Sequence, residues 1–271
     1  MTGEPAVLAE PSNGVLIITI NRPEVRNAVN REVSAGMIAA ISRLDEDPEL
    51  RVGILTGAGR GFCTGMDLKA FARGESALIG DRGFAGITHY GSRKPLIAAI
   101  EGFSLGGGLE MALTCDIIVA AKGSQLGLPE VKHGLYAAAG GLLRLPRRMN
   151  AGDAAILALT GEPVDAEEGY RLGLVNRLVD PGQALPEAIR LAEAIARNAP
   201  LAVVATKRVL TEGRTKPDDE FFAWEHAEPE LRSVLKSKDA LEGATAFSER
   251  REPVWVGARP GSVPLPRSSP G

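Results

Sequence analysis

Two glutamates and two glycine-rich loops are the parts of this sequence whose residue types and spacing could carry out acid–base chemistry. Glu110 follows the run Gly106-Gly-Gly108, and Glu130 follows Pro129, 20 positions further along. Neighbouring carboxyl groups repel, and burial disfavours the ionised form, so one of such a pair stays protonated near neutral pH. One protonated and one ionised carboxyl can deprotonate a water while donating a proton elsewhere. The run Gly106-Gly-Gly-Leu-Glu-Met-Ala-Leu113 opens a predicted helix, and a helix N-terminus offers unpaired N–H groups and partial positive charge. In the second loop, Gly61-Phe-Cys-Thr-Gly-Met-Asp-Leu68, Gly65 lets the chain fold tightly and turn the next N–H outward. Two such amides from adjacent strand ends would stabilise an oxygen that becomes negative during reaction. Taken singly, each glutamate also reads as a solvated surface residue, and the triple glycine as close helix–strand packing. No Gly-Lys-Ser/Thr follows the glycines, and G-x-G-x-x-G is incomplete, so neither a nucleotide P-loop nor a dinucleotide site is indicated.

The elements that must position these residues are legible as alternating patterns. Val15–Ile20, Val52–Thr56, Pro95–Ile100 and Ile117–Ala120 read as strands, and Val175–Val179 adds one more. Val33, Met37, Ile38, Ile41 and Leu44 mark one face of a helix, and a second helix runs from the glycines through Thr114. Strands separated by helical crossovers imply parallel pairing, hence an α/β core. Asp153–Leu159 and Asp165–Leu172 read as short helices, the latter with a capping-box spacing between Asp165 and Glu168. From Pro186 to Phe247 the period is helical, broken at Asn198–Pro200 and at Gly213–Pro217. The segment from Val256 to Gly271 is rich in Pro, Gly and Ser and is expected to be disordered. No internal repeat at a solenoid period is evident.

Composition narrows the function classes. The 271 residues carry 31 Lys+Arg against 34 Asp+Glu, a net charge of −3 that argues against a duplex nucleic-acid binder. Glycine supplies 32 residues, well above usual usage, clustered at Gly57–Gly65 and Gly102–Gly108. No apolar run reaches the length of a membrane span, and the first residues lack the marks of a signal peptide. Cys63 and Cys115 are too few for a disulfide scaffold, so a cytoplasmic setting is expected. His89, His133 and His226 show no metal-ligand spacing, and no metal is expected.

Several segments, in order, resemble the crotonase superfamily, specifically the enoyl-CoA hydratases. They are Asn21–Ala28, Phe62–Lys69, Gly102–Leu113, Leu128–Val131, Ala139–Pro146, Leu159–Gly161, Ala166–Val179 and Phe247–Arg251. The resemblance implies a spiral of ββα turns over residues 1–197, a helical C-terminal region over 198–255, and a tail over 256–271. It also implies assembly as a trimer or a dimer of trimers. By motif, the family's oxyanion-hole amides match Met66 and Gly107, and its catalytic glutamates match Glu110 and Glu130. The implied reaction adds water across C2=C3 of a trans-2-enoyl-CoA, with Glu130 giving the C2 proton and Glu110 chiefly holding the water. Coenzyme A is then part of the substrate, and no separate cofactor is called for. Its site is matched by the Arg26–Ala28 segment, by Phe247 near the adenine of a neighbouring subunit, and by Arg250 near the ribose phosphate.

This chain departs from that pattern in two places. Met66 stands where relatives often carry Ala, which would narrow the acyl pocket while leaving the N–H available. Tyr136-Ala-Ala-Ala-Gly140 replaces a Pro-Gly-Ala-Gly-Gly run, which alters the acyl wall; Tyr136 is expected to be half-buried or to donate to a polar acyl group. Cys63 reads as small-residue packing, and Asp67 as a local cap for backbone N–H groups. His89 falls in the variable stretch Phe71–Gly91, which in relatives often covers the acyl pocket. Alternatives to the hydratase are another crotonase-type acyl-CoA lyase or isomerase, and a non-catalytic acyl-CoA-binding relative.

Overall fold

A computed structural model describes residues 4–215 and 220–257. The main sheet contains β1 (Val7–Ser12), β2 (Val15–Ile20), β3 (Val52–Gly57), β4 (Leu96–Ile100), β6 (Ile117–Ala121) and β9 (Arg177–Val179), in that spatial order. β1 is antiparallel to β2, and every other pairing is parallel. A small second sheet joins β5 (Phe103–Leu105), β7 (Gln125–Gly127) and β8 (Val164–Asp165).

Parallel strands need crossovers, and the three that follow β3, β4 and β6 each begin with a short extended segment and a helical one. β4 runs into β5 and then α3 (Gly107–Thr114); β6 runs into β7 and then a 3₁₀ turn at Pro129–His133. β3 leads in the same way through Cys63, bridged in parallel to Ser104, into the five-residue α2 (Leu68–Ala72). These are three stacked ββα turns. Cys63 pairs with Ser104 and Ser104 with Leu126. Met66 and Gly107 therefore each lie three residues past matched positions, and Glu130 four past its own.

Both faces of the main sheet are buried, which explains runs such as Leu-Ile-Ala-Ala-Ile in β4. Leu96, Ala98 and Ile100 face one core with Met37, Ile41 and Leu44 of α1 (Arg31–Glu46). Ile97 and Ala99 face the other with Ala184, Ala188 and Ala192 of α7 (Ala184–Ala196), whose small side chains at i, i+4 spacing let the helix sit close. The Asn30 side chain caps α1 by accepting the Val33 N–H.

Between these lie α4 (Gly141–Arg144), α5 (Ala151–Thr160) and α6 (Ala166–Arg171). Asp165 caps α6 by accepting the Glu168 N–H at 2.7 Å, but Glu168 turns to Arg171, so the reciprocal half of the box is missing. The C-terminal region holds α8 (Pro200–Thr215), α9 (Glu220–Leu235) and α10 (Lys238–Glu249). Lys207 fastens α8 to the sheet through Asp116 at 2.7 Å and the Lys94 carbonyl at 2.8 Å.

Four strands escape the sequence patterns: β1 at the edge, and β5, β7 and β8, each two or three residues long. The helical run from Pro186 to Phe247 has a further break at Ser237, whose side chain caps α10. Of the expected breaker at Gly213–Pro217, residues up to Thr215 are helical and the rest lies outside the described residues. So does the expected disordered tail, except Val256 and Gly257, whose N–H groups Asp239 accepts. Among the described residues no helix is long and apolar enough to cross a membrane.

Close packing at the glycines of the two loops can be tested. A Cβ on Gly108 would stand 2.3 Å from the Cys63 carbonyl oxygen, whereas one on Gly243 of α10 would meet only the Trp255 ring at 3.5 Å. In urea unfolding, Gly108→Ala should destabilise the protein by about 3 kcal/mol, and Gly243→Ala should stabilise it by about 0.5–1 kcal/mol. Equal shifts for the two would refute the close-packing explanation.

Candidate active site

The three stacked turns end at one edge, where two backbone amides come together. Val29 donates to the Gly65 carbonyl at 2.8 Å and accepts the Asp67 N–H at 2.9 Å. In extended chain this pairing points the intervening Met66 N–H to the opposite side. Gly107 is the first residue of α3, so its N–H has no helical acceptor. Gly65, at φ +87°, brings the loops into contact: a Cβ there would stand 2.9 Å from the Gly107 nitrogen. The buried Phe84 ring lies against Gly107, where a Cβ would meet it at 2.5 Å.

The carboxyl groups frame this edge. Glu110, on the first turn of α3, is 3% exposed, and its Oε1 accepts the Gly141 N–H at 2.8 Å. Burial pushes its carboxyl up to about 7; the Gly141 N–H opposes that rise, and the negative charge of Glu130 adds to it. Glu130 sits on the 3₁₀ turn after β7, with Oε1 3.3 Å from where a Cβ of Gly106 would be. Its Oε2 is buried without a hydrogen-bond partner, and burial raises its carboxyl too. An unpartnered buried carboxyl oxygen is costly in a folded protein and common where a reacting molecule supplies the partner. Held at about 7, Glu110 takes up and gives back a proton near neutrality, beside a second carboxyl whose proton affinity is also raised.

Arg26–Ala28 adjoins the Met66 loop. Thr64 donates to the Arg26 carbonyl at 3.2 Å, and Arg22 binds the Ala28 carbonyl at 2.6 Å and Asp67 at 3.1 Å. Asn27 reaches the Ala58 and Gly61 carbonyls, so Arg26 and Asn27 are held in left-handed backbone at φ 55° and 56°. Asp67 also caps α2 through Lys69 and Ala70, as its local role anticipates.

Phe247 and Arg250 stand apart at the end of α10. Phe247 is 87% exposed, and no hydrogen bond or ion pair among the described residues joins either to the glutamates. Tyr136, expected to be half-buried, is 68% exposed. The reason is that it follows the left-handed turn at Gly134 on the outer side of the loop that carries Glu130. Cys63 is fully buried, its thiol is pushed up to about 12, and its sulfur accepts the Gly65 N–H at 3.2 Å, so it shapes the loop rather than attacking. His89 Nδ1 lies 2.8 Å from the Asp81 carbonyl. No His/Cys/Asp/Glu cluster among the described residues could hold a metal.

Sequence reasoning missed Arg22, Phe84, Gly141 and Arg144. Arg144 is half-buried beside Glu110 and donates to the Ala139 and Thr88 carbonyls. Its one sequence signal is a cation inside the otherwise apolar run Ala139–Pro146.

Comparison with known proteins matches this architecture throughout. The family model for enoyl-CoA hydratase/isomerase covers residues 10–258. A carnitinyl-CoA dehydratase of Salmonella paratyphi A is 41% identical over 249 residues, 90% of this chain and 95% of that protein. A crystal structure of an enoyl-CoA hydratase from Mycobacterium tuberculosis H37Rv superposes with a TM-score of 0.90 at 54% identity, covering 94% of this chain and 100% of that one. A carnitinyl-CoA hydratase structure from Mycobacterium avium gives 0.76 at 42% identity, covering 94% and 99%. Identity of this depth over almost the whole length places the chain in the enoyl-CoA hydratase/isomerase family, as an enzyme of the crotonase fold.

Proposed function

We propose that this protein is an enoyl-CoA hydratase, adding water across the C2=C3 bond of a trans-2-enoyl-CoA. The observation that carries this reading is the pairing of Glu110 and Glu130, both with raised proton affinity, beside the amides of Met66 and Gly107. A thioester oxygen accepting both N–H groups would be stabilised as C2 gains carbanion character. The ionised Glu110 takes a proton from water as the hydroxyl adds to C3. In the reactive form the proton shared by the pair sits on Glu130, which gives it to C2, and atoms and charge balance. Both acids are needed for this exchange, whereas isomerisation needs only one. Coenzyme A enters as part of the substrate, held along Arg26–Ala28. The exposed Phe247, with Arg250, is assigned by this reading to the coenzyme A site of a neighbouring subunit in a trimer or a pair of trimers.

A second reading uses the same site in reverse, dehydrating a polar 3-hydroxyacyl-CoA. The similarity to carnitinyl-CoA dehydratase and the exposed Tyr136 phenol support it. Ultraviolet spectrophotometry separates the two readings. Crotonyl-CoA and longer enoyl-CoAs should lose the conjugated thioester absorbance under the first, and carnitinyl-CoA should gain it most efficiently under the second. No change with any member of the panel would remove both readings.

Glu130→Gln should lower kcat by about 10²–10⁴ while KM changes little, because the amides and the Arg26–Ala28 segment still hold the thioester. An unchanged kcat would exclude Glu130 from the proton transfer.

The pH dependence has a definite sign. A base held near 7 is protonated, and so idle, at lower pH; kcat/KM should therefore fall toward acid through about pH 7. Glu110→Gln should leave a small residual rate without that acid limb. A limb that survives the substitution would assign it to another group.

A further inference from the structure

We propose that Arg144 is a positioning residue for Glu110, holding by its charge and its two carbonyl contacts the turn and the ionised carboxylate on which proton transfer depends. Its catalytic meaning rests on the hydratase reading; the electrostatic relation does not.

The geometry is specific. Arg144 ends α4, and its guanidinium folds back to donate through Nη1 to the Ala139 carbonyl at 3.3 Å and through Nη2 to the Thr88 carbonyl at 2.5 Å. It fills the space above Gly140, where a Cβ would meet Nη1 at 2.1 Å; Gly140 is left-handed at φ +97°. The next residue, Gly141, donates the N–H that Glu110 accepts. Arg144 thus ties the turn holding Glu110 to the segment of Phe84 and Thr88, and the Phe84 ring packs against the α-carbon side of Gly107.

Those contacts alone describe a staple that any multiple donor could supply. The charge says more. Among the described residues Arg144 makes no ion pair, and its contacts are neutral carbonyls. The acid acting on it most strongly is Glu110, each stabilising the other's charged form. A half-buried cation with only carbonyl partners is costly unless a nearby anion compensates it. The other groups facing the pair are Glu130 across the site, Arg147 and Cys115 beside Arg144, and His133 beside Glu130. The Cys115 thiol is pushed up to about 12 and stays neutral. Burial and Glu130 favour protonated Glu110; the Gly141 and Ala139 N–H groups, and then the charge of Arg144, favour the carboxylate.

The test reads Glu110 directly. Its protonated carboxyl stretch, identified by disappearance in Glu110→Gln, is followed by infrared titration in the full-length parent, Arg144→Lys and Arg144→Gln. With charge lost, the Arg144→Gln midpoint should rise by about one pH unit, and the Arg144→Lys midpoint should stay within about 0.3 unit of the parent. An unmoved midpoint in Arg144→Gln, or equal rises in both variants, would overturn the proposal and leave Arg144 a staple. Should Arg144→Gln not fold, Arg144→Met takes its place as the charge-removing variant: a rise there beside an unmoved Arg144→Lys supports the charge role, and an unmoved midpoint or equal rises overturn it. Acyl-CoA turnover by the parent is scored separately, so an inactive parent would sink the hydratase reading without touching the titration.

Discussion

The site depends on how closely two backbones approach. Gly65 and Gly107 belong to successive turns of a ββα stack, and a single methyl group on Gly65 would stand within 2.9 Å of the Gly107 nitrogen. That separation exists because the short strands are in register, Cys63 with Ser104 and Ser104 with Leu126. Parallel pairing repeats each turn's geometry one strand along, so groups at equal offsets past the strands arrive at the same edge. The Val29 ladder and the Arg22–Asp67 pair then lock the outer loop in the orientation that turns the Met66 amide inward.

Around this backbone frame the charges are balanced rather than neutralised. Glu110 and Glu130 are placed where water is scarce, and the charge of Glu130 makes ionisation of Glu110 harder. Against this stand a backbone N–H, a half-buried guanidinium and the imidazole of His133. The result is a carboxyl that changes state near neutral pH, which a general base requires and a surface glutamate lacks. The same balance serves hydration and dehydration alike, so the acyl pocket, and not the acid–base pair, separates the two readings.

Much of the architecture was legible from local pattern. The inner strands β2, β3, β4 and β6 announce themselves as apolar runs because both their faces are buried, and the helix at 31–46 by apolar period because it buries one face. β5, β7 and β8 do not, because two or three residues are too few to show a period; their pairing comes from the turns before and after them. The repeat left no period along the chain, since its turns share geometry and not sequence, and only the family resemblance pointed to it. Tyr136 was misjudged because its exposure depends on how a loop leaves the 3₁₀ turn, which no period encodes.

The residue types, taken alone, determined that acid–base chemistry was available: two glutamates, two glycine loops, and strands to carry them in order. Which of those groups face one another was decided in three dimensions. The proton affinity of Glu110 comes from burial, from an amide 31 positions away and from a cation beyond it, none of which is near it along the chain. Electrostatic energy follows distance through space and loss of water, and both are set only when the turns have stacked.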